Sequence, residues 1–346
     1  MEAAFRVEVK GFQKCFLKSA YRPITRSSDV RALSSPLPIS AAVATRDRPE
    51  ALRKTLESVA AQDMMPSELI FVDASIDDRS RLIVEAFAAV FNPRGCQIKW
   101  QRAVTAGAAA QRNQCLAQAT QSFIWFFDDD ILLETFCLRR LWQALEADSG
   151  LGGVNAMVTN QSYQTPGRIS RTMFRIMAGK SLPSYAGRVL GPAINLLPED
   201  NADLPAIVPV EWLNTTCTLY RRAALPSPPF ASRFEGYSLM EDVCLSVTVA
   251  RQWRLANVRE ARIFHDSQGG SHKSDHAELY RMTLVNRHYV MTSIMGRGTF
   301  GDYVKLGLWQ SLELLGSAAK RPVSLKDMLR GTCRGICEIR RETSEE

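Results

Sequence analysis

From residue 38 onward, short apolar runs alternate with segments in which apolar residues recur every three or four positions. The runs at Ile39–Ala44, Leu69–Val72 and Phe123–Phe127 are typical of buried strands. A further strand is predicted at 97–102, and helices are predicted at 49–60, 82–90 and 106–119, between the strands. Since strands alternate with helices at short spacing, the pattern predicts an α/β fold with a mostly parallel sheet and helices on both faces.

Beyond residue 150 the pattern is less regular. Residues 160–208 contain five prolines and little periodicity, which predicts a loop-rich insertion near the active site. The next predictions are a strand at 211–220, a helix from 241 to 251 and a short strand at 261–264. After about residue 275 the pattern predicts helices. The chain is therefore divided into an N-terminal extension (1–37), an α/β domain (38–275) and a C-terminal helical region (276–346).

Acidic residues directly follow two of the predicted strands, Asp73 after the second and Asp128–Asp130 after the fourth. In parallel sheets, ligands bind beyond the carboxyl ends of the strands. Three adjacent carboxylates repel one another unless a cation lies among them, and Mg²⁺ or Mn²⁺ prefers such oxygen ligands. Asp128 and Asp130 are two apart, so in an extended segment they point the same way. We therefore predict a metal site rather than a solvated loop in which Asp130 caps a helix.

The net charge of +7 is unevenly distributed, because residues 1–36 contain seven Lys or Arg and three Asp or Glu. Such a basic arm suits an anionic surface such as membrane phosphates, although a solvated extension is the simpler interpretation. We predict no nucleic-acid partner. The eight cysteines are scattered, and the sequence has neither a secretory signal nor a run of about 18 apolar residues. These features favour a cytoplasmic protein.

Several motifs occur in a specific order along residues 38–290. They are Ile39–Pro49, Val72-Asp73-Ala74-Ser75, Ala110-Gln111-Arg112-Asn113, Asp128–Asp130, Phe234-Glu235-Gly236 with Glu241-Asp242, and His265. In order and spacing they resemble glycosyltransferase family 2. The resemblance implies a GT-A (Rossmann-like) fold and inverting transfer of a sugar from a nucleotide-diphosphate donor.

The resemblance also implies a role for each matching residue. Asp128–Asp130 match the family's DXD motif, with Asp128 and Asp130 as ligands of Mg²⁺ or Mn²⁺ on the donor diphosphate and Asp129 beside the donor. Asp242 matches the catalytic base, and His265 matches a third metal ligand of some members. The donor-binding positions implied by the match are Thr45, Arg46, Asp73, Arg112, Asp128 and Asp129.

The sequence departs from the family pattern in places that affect specificity. Ala74 stands where the family usually has a second acidic or amide residue, so the nucleotide remains open. The Gln-x-x-Arg-Trp motif of processive members is missing, which predicts transfer of one sugar or a few. We expect a glycan or lipid-linked acceptor in polysaccharide biosynthesis of the cell envelope. Peripheral membrane contact is expected through the basic arm and the C-terminal cations Lys320, Arg321, Lys326, Arg330 and Arg334.

Two alternatives remain. A sugar nucleotidyltransferase also uses acidic residues with Mg²⁺, but it would need a Gly-rich phosphate loop with a Lys, and Thr45–Arg48 is not one. A catalytically inactive protein that only binds sugar nucleotides is the other, and the intact Asp128, Asp130 and Asp242 argue against it.

Overall fold

The computed structural model describes residues 35–267, 275–320 and 325–345. The N-terminal extension predicted at 1–37 therefore lies almost entirely outside the described residues. The first half of the domain alternates as predicted. Its elements are β1 (Leu37–Thr45), α1 (Pro49–Ala60), β2 (Pro66–Asp73), α2 (Arg79–Phe91), β3 (Gln97–Arg102), α3 (Ala108–Gln118) and β4 (Phe123–Phe127).

The second half contains shorter strands and longer helices. The elements up to β10 are β5 (Ile131–Leu133), α4 (Cys137–Ala147), β6 (Leu151–Val158), α5 (Arg168–Ala178), β7 (Val189–Leu190), β8 (Ile194–Asn195), β9 (Ile207–Val210) and β10 (Cys217–Arg221). They are followed by α6 (Glu241–Val249), β11 (Arg254–His265), α7 (His276–Tyr289), α8 (Phe300–Lys320) and α9 (Leu325–Glu345). The helical C-terminal region is confirmed.

Three predictions for the second half were wrong in part. The supposed loop-rich insertion at 160–208 contains helix α5 and the β7–β8 hairpin. Of the strand predicted at 211–220, only the end belongs to β10. The backbone amide of Leu213 donates to the Ser246 hydroxyl instead of to a neighbouring strand. Strand β11 begins at Arg254, well before the predicted start at 261. The prediction missed its first half because the register shifts between Val258 and Arg262 and interrupts the apolar pattern there.

The main sheet has the strand order β3-β2-β1-β4-β10-β6-β11-β5, with β9 also paired to β11. Strands β1, β2, β3, β4, β6 and β11 run in one direction, and β5, β9 and β10 run in the other. The sheet is therefore mostly parallel, as predicted. Because β1, β2 and β4 are parallel neighbours, their carboxyl ends meet at one edge of the sheet.

Each face of the sheet has its own hydrophobic core. Alternate residues of β4 point to opposite faces, so Trp125 packs in one core and Phe126 in the other. Helices α1, α2 and α4 cover the first face, and α3 and α6 cover the second. This arrangement confirms helices on both faces. Within the described residues, no helix is long and apolar enough to cross a membrane.

Candidate active site

The strand ends at the β1–β2–β4 edge carry Thr45, Asp73 and Asp128. Asp73 is fully buried, and its carboxylate accepts hydrogen bonds from the backbone of Ser75 at 2.8 Å and from the Trp100 indole at 3.3 Å. The Gln111 amide on α3 donates to the carbonyls of Thr45 (3.0 Å) and Val72 (2.8 Å). Gln111 thereby fixes the two strand ends relative to each other.

Two side chains from the segment at the end of β1 contact the acidic triplet. Thr45 donates to Asp129 at 2.7 Å, and the Arg48 guanidinium lies 2.9 Å from Asp129 and 2.7 Å from Asp130. Asp129 has no exposed surface, and burial, which Arg48 opposes, raises its pKa to about 7. Sequence reasoning assigned Arg48 no role in the site. The signal that could have identified it is its place three residues after a strand that ends beside the aspartates.

Asp128, Asp130 and His265 form a cluster in which one ligand atom of each lies within 4.8 Å of the others. The His265 Nε2 atom is 3.1 Å from Asp130. Strand pairing explains this proximity, because β5 follows the triplet directly and its Ile131 pairs with His265 at the end of β11. Two carboxylates and an imidazole at the end of a buried strand are a donor set that suits a divalent cation such as Mn²⁺.

The other ring nitrogen of His265 also has a partner. The Gln161 amide lies 3.2 Å from His265 Nδ1. The atom that faces Nδ1 is the amide nitrogen of Gln161, so turning the amide over would bring its oxygen to Nδ1. That oxygen would then accept the Nδ1 proton and fix the ring orientation when Nε2 binds a metal. Sequence reasoning missed Gln161, which lies at the start of the segment predicted to be a loop-rich insertion.

Arg112 on α3 connects the triplet to the amino end of α6. Its guanidinium lies 2.8 Å from Asp128 and 2.9 Å from Glu241, and it is almost completely buried. The Phe230 ring packs 5.7 Å from the guanidinium carbon. A buried arginine can bind two carboxylates at once because its planar fork presents several donors. Arg112 thus holds together elements that are far apart in the sequence.

The amino end of α6 is positioned by the loop before it. The Gly236 carbonyl accepts from Ala108 at 3.3 Å and the Ser238 hydroxyl from Ala109 at 3.2 Å, both at the start of α3. Ser238 and Met240 adopt left-handed backbone angles, with φ of 57° and 74°. The constrained loop sets the angle at which α6 enters the site, and so where Glu241 and Asp242 lie.

The two carboxylates that open α6 have different environments. Glu241 is buried against Arg112, and burial, reinforced by Asp242 and opposed by Arg112, raises its pKa to about 8. Asp242 is half-buried, and one of its oxygens accepts from the backbone of Val243 at 2.7 Å. Burial, opposed by that hydrogen bond and by Arg112, raises the pKa of Asp242 to about 6. Sequence reasoning gave Glu241 no role in the site, and only its adjacency to Asp242 could have indicated one.

The structure therefore brings most of the predicted site residues together. Thr45, Arg112, the triplet and His265 form one connected network, and Arg112 links it to the helix that carries Asp242. Asp73 lies at the neighbouring strand end. Arg46 is half exposed and is paired with Asp47 at 3.5 Å.

Residues 40–190 match the family model described as Glycosyl transferase family 2. This segment contains β1, β2 and β4 with the acidic triplet. The chain has no match among curated proteins.

Solved structures show the same fold at low sequence identity. The mannosyltransferase PcManGT from Pyrobaculum calidifontis, in complex with GDP-Man and Mn²⁺, is 13% identical with a TM-score of 0.53, and the match covers 93% of this chain and 92% of that one. GalNAc-T7 with UDP, GalNAc and Mn²⁺ is 13% identical with a TM-score of 0.52, covering 75% and 48%. S. aureus TarS 1–349 is 18% identical with a TM-score of 0.46, covering 72% and 65%. The chain thus spans less than two thirds of the TarS fragment and about half of GalNAc-T7.

PcManGT and GalNAc-T7 have the GT-A fold, and the mostly parallel sheet of this chain with its helices is the corresponding α/β core. The segment matched by the family model contains Thr45, Asp73, Arg112 and the acidic triplet. Residues 40–190 of this chain thus match glycosyl transferase family 2, and the chain has the GT-A fold.

Proposed function

We propose that this protein is a metal-dependent, inverting glycosyltransferase that moves a sugar from a nucleoside-diphosphate sugar to a glycan or lipid-linked acceptor. The observation that carries the proposal is the cluster of Asp128, Asp130 and His265, which Arg112 joins to the helix that begins at Glu241. Such an arrangement combines a site for a metal–diphosphate complex with a carboxylate at its edge.

The donor site comprises the strand ends and their neighbours. Two structural neighbours contain a nucleotide or nucleotide sugar together with Mn²⁺, which supports a similar ligand here. Mg²⁺ or Mn²⁺ held by Asp128, Asp130 and His265 would neutralise the charge of the departing diphosphate. The residues proposed to bind the donor are Thr45, Arg46, Asp73, Arg112, Asp128 and Asp129.

Asp242 is the proposed base. It accepts the proton of the acceptor hydroxyl while that oxygen bonds to the anomeric carbon and the bond from this carbon to the diphosphate breaks. A pKa of about 6 leaves Asp242 ionised at neutral pH and basic enough to assist the attack. Because the acceptor attacks opposite the leaving group, the anomeric configuration inverts.

We further propose that the protein acts at the cytoplasmic face of a membrane in polysaccharide biosynthesis of the cell envelope. The support is the concentration of positive charge in residues 1–36 and in the C-terminal region.

The decisive experiment is a panel of UDP- and GDP-sugars incubated with the protein and Mn²⁺, followed by measurement of nucleoside diphosphate release. We expect metal-dependent release with one donor, stimulated by an acceptor. If no donor supports release with any glycan or lipid-linked acceptor, the protein binds nucleotide sugars without transferring them. Release of inorganic pyrophosphate from a nucleoside triphosphate and a sugar phosphate would indicate a nucleotidyltransferase.

Asp242→Asn should lower kcat by about 10²–10⁴-fold, because the acceptor hydroxyl loses its base. The dissociation constant of the donor should stay unchanged, as measured by calorimetry with Mn²⁺. Glu235→Gln, an exposed carboxylate in the preceding loop, serves as the matched control. Loss of donor binding in Asp242→Asn would remove Asp242 from the role of base.

Asp130→Ala should abolish metal-dependent donor binding, because it removes one of the three ligand groups of the cluster. Titration of Mn²⁺ in the presence of a nucleoside diphosphate measures the effect. Asp148→Ala, at a half-exposed aspartate outside the cluster, should bind normally. Unchanged metal affinity in Asp130→Ala would contradict the assignment of the cluster.

A further inference from the structure

Helix α5 has a basic, solvent-facing side that the proposed reaction does not use. Phe174 and Met177 are buried beneath the helix, whereas Arg168, Arg171 and Arg175 are exposed. No ion pair in the described part of the chain involves these three arginines. From 161 to 198 the sequence contains four arginines and one lysine but neither Asp nor Glu. Helix α5 therefore presents three positive charges to solvent.

The three arginines surround a small cavity. Its volume is about 330 Å³, and it is lined by Arg168, Arg171, Arg175, Thr172, Ser181 and Tyr185. Guanidinium groups and hydroxyls are the donors that bind phosphate oxygens. The cavity therefore has the donors, and more than enough room, for a phosphate group.

Large apolar side chains protrude beside these cations. On α5, Ile169 is 84% exposed. On α8, Phe300, Val304 and Leu308 recur every four residues along one exposed face, and Phe300 is 86% exposed. A helix with basic and apolar groups facing solvent is typical of interfacial helices that insert their apolar side chains between lipids.

Helices α5 and α8 pack directly against each other. The rings of Phe174 on α5 and Trp309 on α8 lie 6.4 Å apart, and Lys305 on α8 lies 3.5 Å from the carbonyl of Met177 on α5. The exposed residues of the two helices therefore lie on neighbouring elements of the fold. We call the surface formed by Arg168, Ile169, Arg171, Arg175, Phe300, Val304 and Leu308 the α5–α8 face.

We propose that the α5–α8 face docks on an anionic phospholipid membrane, with the arginine cavity holding a lipid phosphate and the apolar side chains entering the lipid layer. Charge complementarity favours this partner, because the negative headgroups meet three arginines for which residues 35–267, 275–320 and 325–345 provide no ion pair. A second copy of the chain is disfavoured, since a twofold interface would set the three arginines of one copy against those of the other. This proposal specifies the membrane contact proposed above, but it does not depend on sugar transfer.

Vesicle flotation of the full chain tests the proposal. The vesicles contain phosphatidylcholine alone or an equal mixture of phosphatidylcholine and phosphatidylglycerol. We expect binding to the mixed vesicles that weakens with added salt. The triple variant Arg168→Gln/Arg171→Gln/Arg175→Gln should lower the partition coefficient on the order of 10²-fold, since each cation near an anionic surface contributes about a factor of five.

Matched control variants distinguish a specific effect of the α5–α8 face from a general effect of lost charge or lost hydrophobicity. Arg79→Gln/Arg81→Gln/Arg254→Gln removes the same charge from arginines elsewhere, and it should bind like the unmodified chain. Phe300→Ser/Val304→Ser should weaken binding, whereas the equally apolar exchange Ile76→Ser/Val104→Ser, at positions 91% and 89% exposed, should not. Every variant keeps the basic arm of residues 1–36, so a selective loss is due to the α5–α8 face.

Three results would overturn the proposal: no flotation with either vesicle, equal losses in the test and control variants, or concentration-dependent dimers that Phe300→Ser/Val304→Ser abolishes. If inorganic phosphate binds the cavity but leaves vesicle flotation unchanged, the cavity binds free phosphate and not the lipid. Donor turnover without vesicles should be unchanged in the triple arginine variant. A chain that floats but transfers no sugar would contradict the proposed function while supporting this proposal.

Discussion

Glu68 is a buried carboxylate near the amino end of β2, at the edge of the sheet opposite the candidate active site. It accepts hydrogen bonds from Ser40, from Lys99 at 2.7 Å and from Thr120, and it is only 4% exposed. Burial alone would raise its pKa, but the hydrogen bonds outweigh burial and lower the pKa from 4.5 to about 2. Glu68 is therefore a group whose ionised form stabilises the fold.

We predict that this stabilisation is lost in acid. Because the folded pKa lies below the unfolded one, the contribution is complete above pH 4.5 and decreases as the pH falls towards 2. The lowered pKa corresponds to at most about 3 kcal/mol in the free energy of unfolding. Urea denaturation of the wild-type protein and Glu68→Gln should give a difference that shrinks over this pH range. The exposed Glu85→Gln should follow the wild type, and a pH-independent difference for Glu68→Gln would contradict the prediction.

The sequence could identify residues of the site that belong to recognisable motifs, but it could not identify their partners. Asp128 and Asp130 follow an apolar strand, so both their proximity and their location are predictable. Arg48 and Gln161 have no such signal, because each acts through a contact with a residue far away in the sequence. Their places depend on the pairing of distant strands, and no local pattern encodes that pairing.

At the scale of elements, prediction succeeded where one residue pattern extends through the whole element. Strand β4 is apolar throughout and is buried on both faces, so its limits were correct. Helix α5 was missed although Ile169, Met173, Phe174 and Met177 recur at helical spacing. The five prolines between residues 160 and 208 favoured a loop over the whole segment, but they lie outside the eleven residues of the helix.

The packing of α9 against α7 depends on a glycine. A Cβ atom at Gly331 would lie 2.2 Å from the carbonyl oxygen of Ala277 and 2.9 Å from the Cβ of Tyr280. Two helices that approach this closely leave no room for a side chain at the contact. The sequence pattern predicted helices in this region but could not indicate how closely they pack.

We therefore predict that Gly331→Ala destabilises the protein by about 1–3 kcal/mol, because the two helices must separate. Gly307→Ala on α8 is a matched control, since a Cβ there has no neighbour within 4 Å. That change should stabilise the helix by roughly 0.5–1 kcal/mol. Urea denaturation measures both variants. Equal effects of the two substitutions would contradict the close packing at Gly331.

At the scale of the whole molecule, the candidate site is assembled from both halves of the domain. Asp130 and His265 are 135 positions apart and meet because β5 pairs with β11. Arg112 and Glu241 are 129 positions apart and meet because the loop before α6 rests on α3. A ligand that binds these groups together would therefore link the two halves and stabilise the complete fold.

We predict that Mn²⁺ together with the nucleoside diphosphate of the active donor raises the free energy of unfolding. The increase should be about 2.7 kcal/mol when the nucleotide concentration is about one hundred times its dissociation constant. His265→Ala should lose much of this gain, because the cluster then keeps only Asp128 and Asp130 as ligands. Gln161→Leu should weaken the metal about 10–100-fold by releasing the imidazole. His276→Ala changes a histidine at the start of α7, outside the cluster, and should respond like the wild type. Thermal and urea unfolding with and without the ligands measure these differences, and an undiminished gain in His265→Ala would show that the histidine holds no metal.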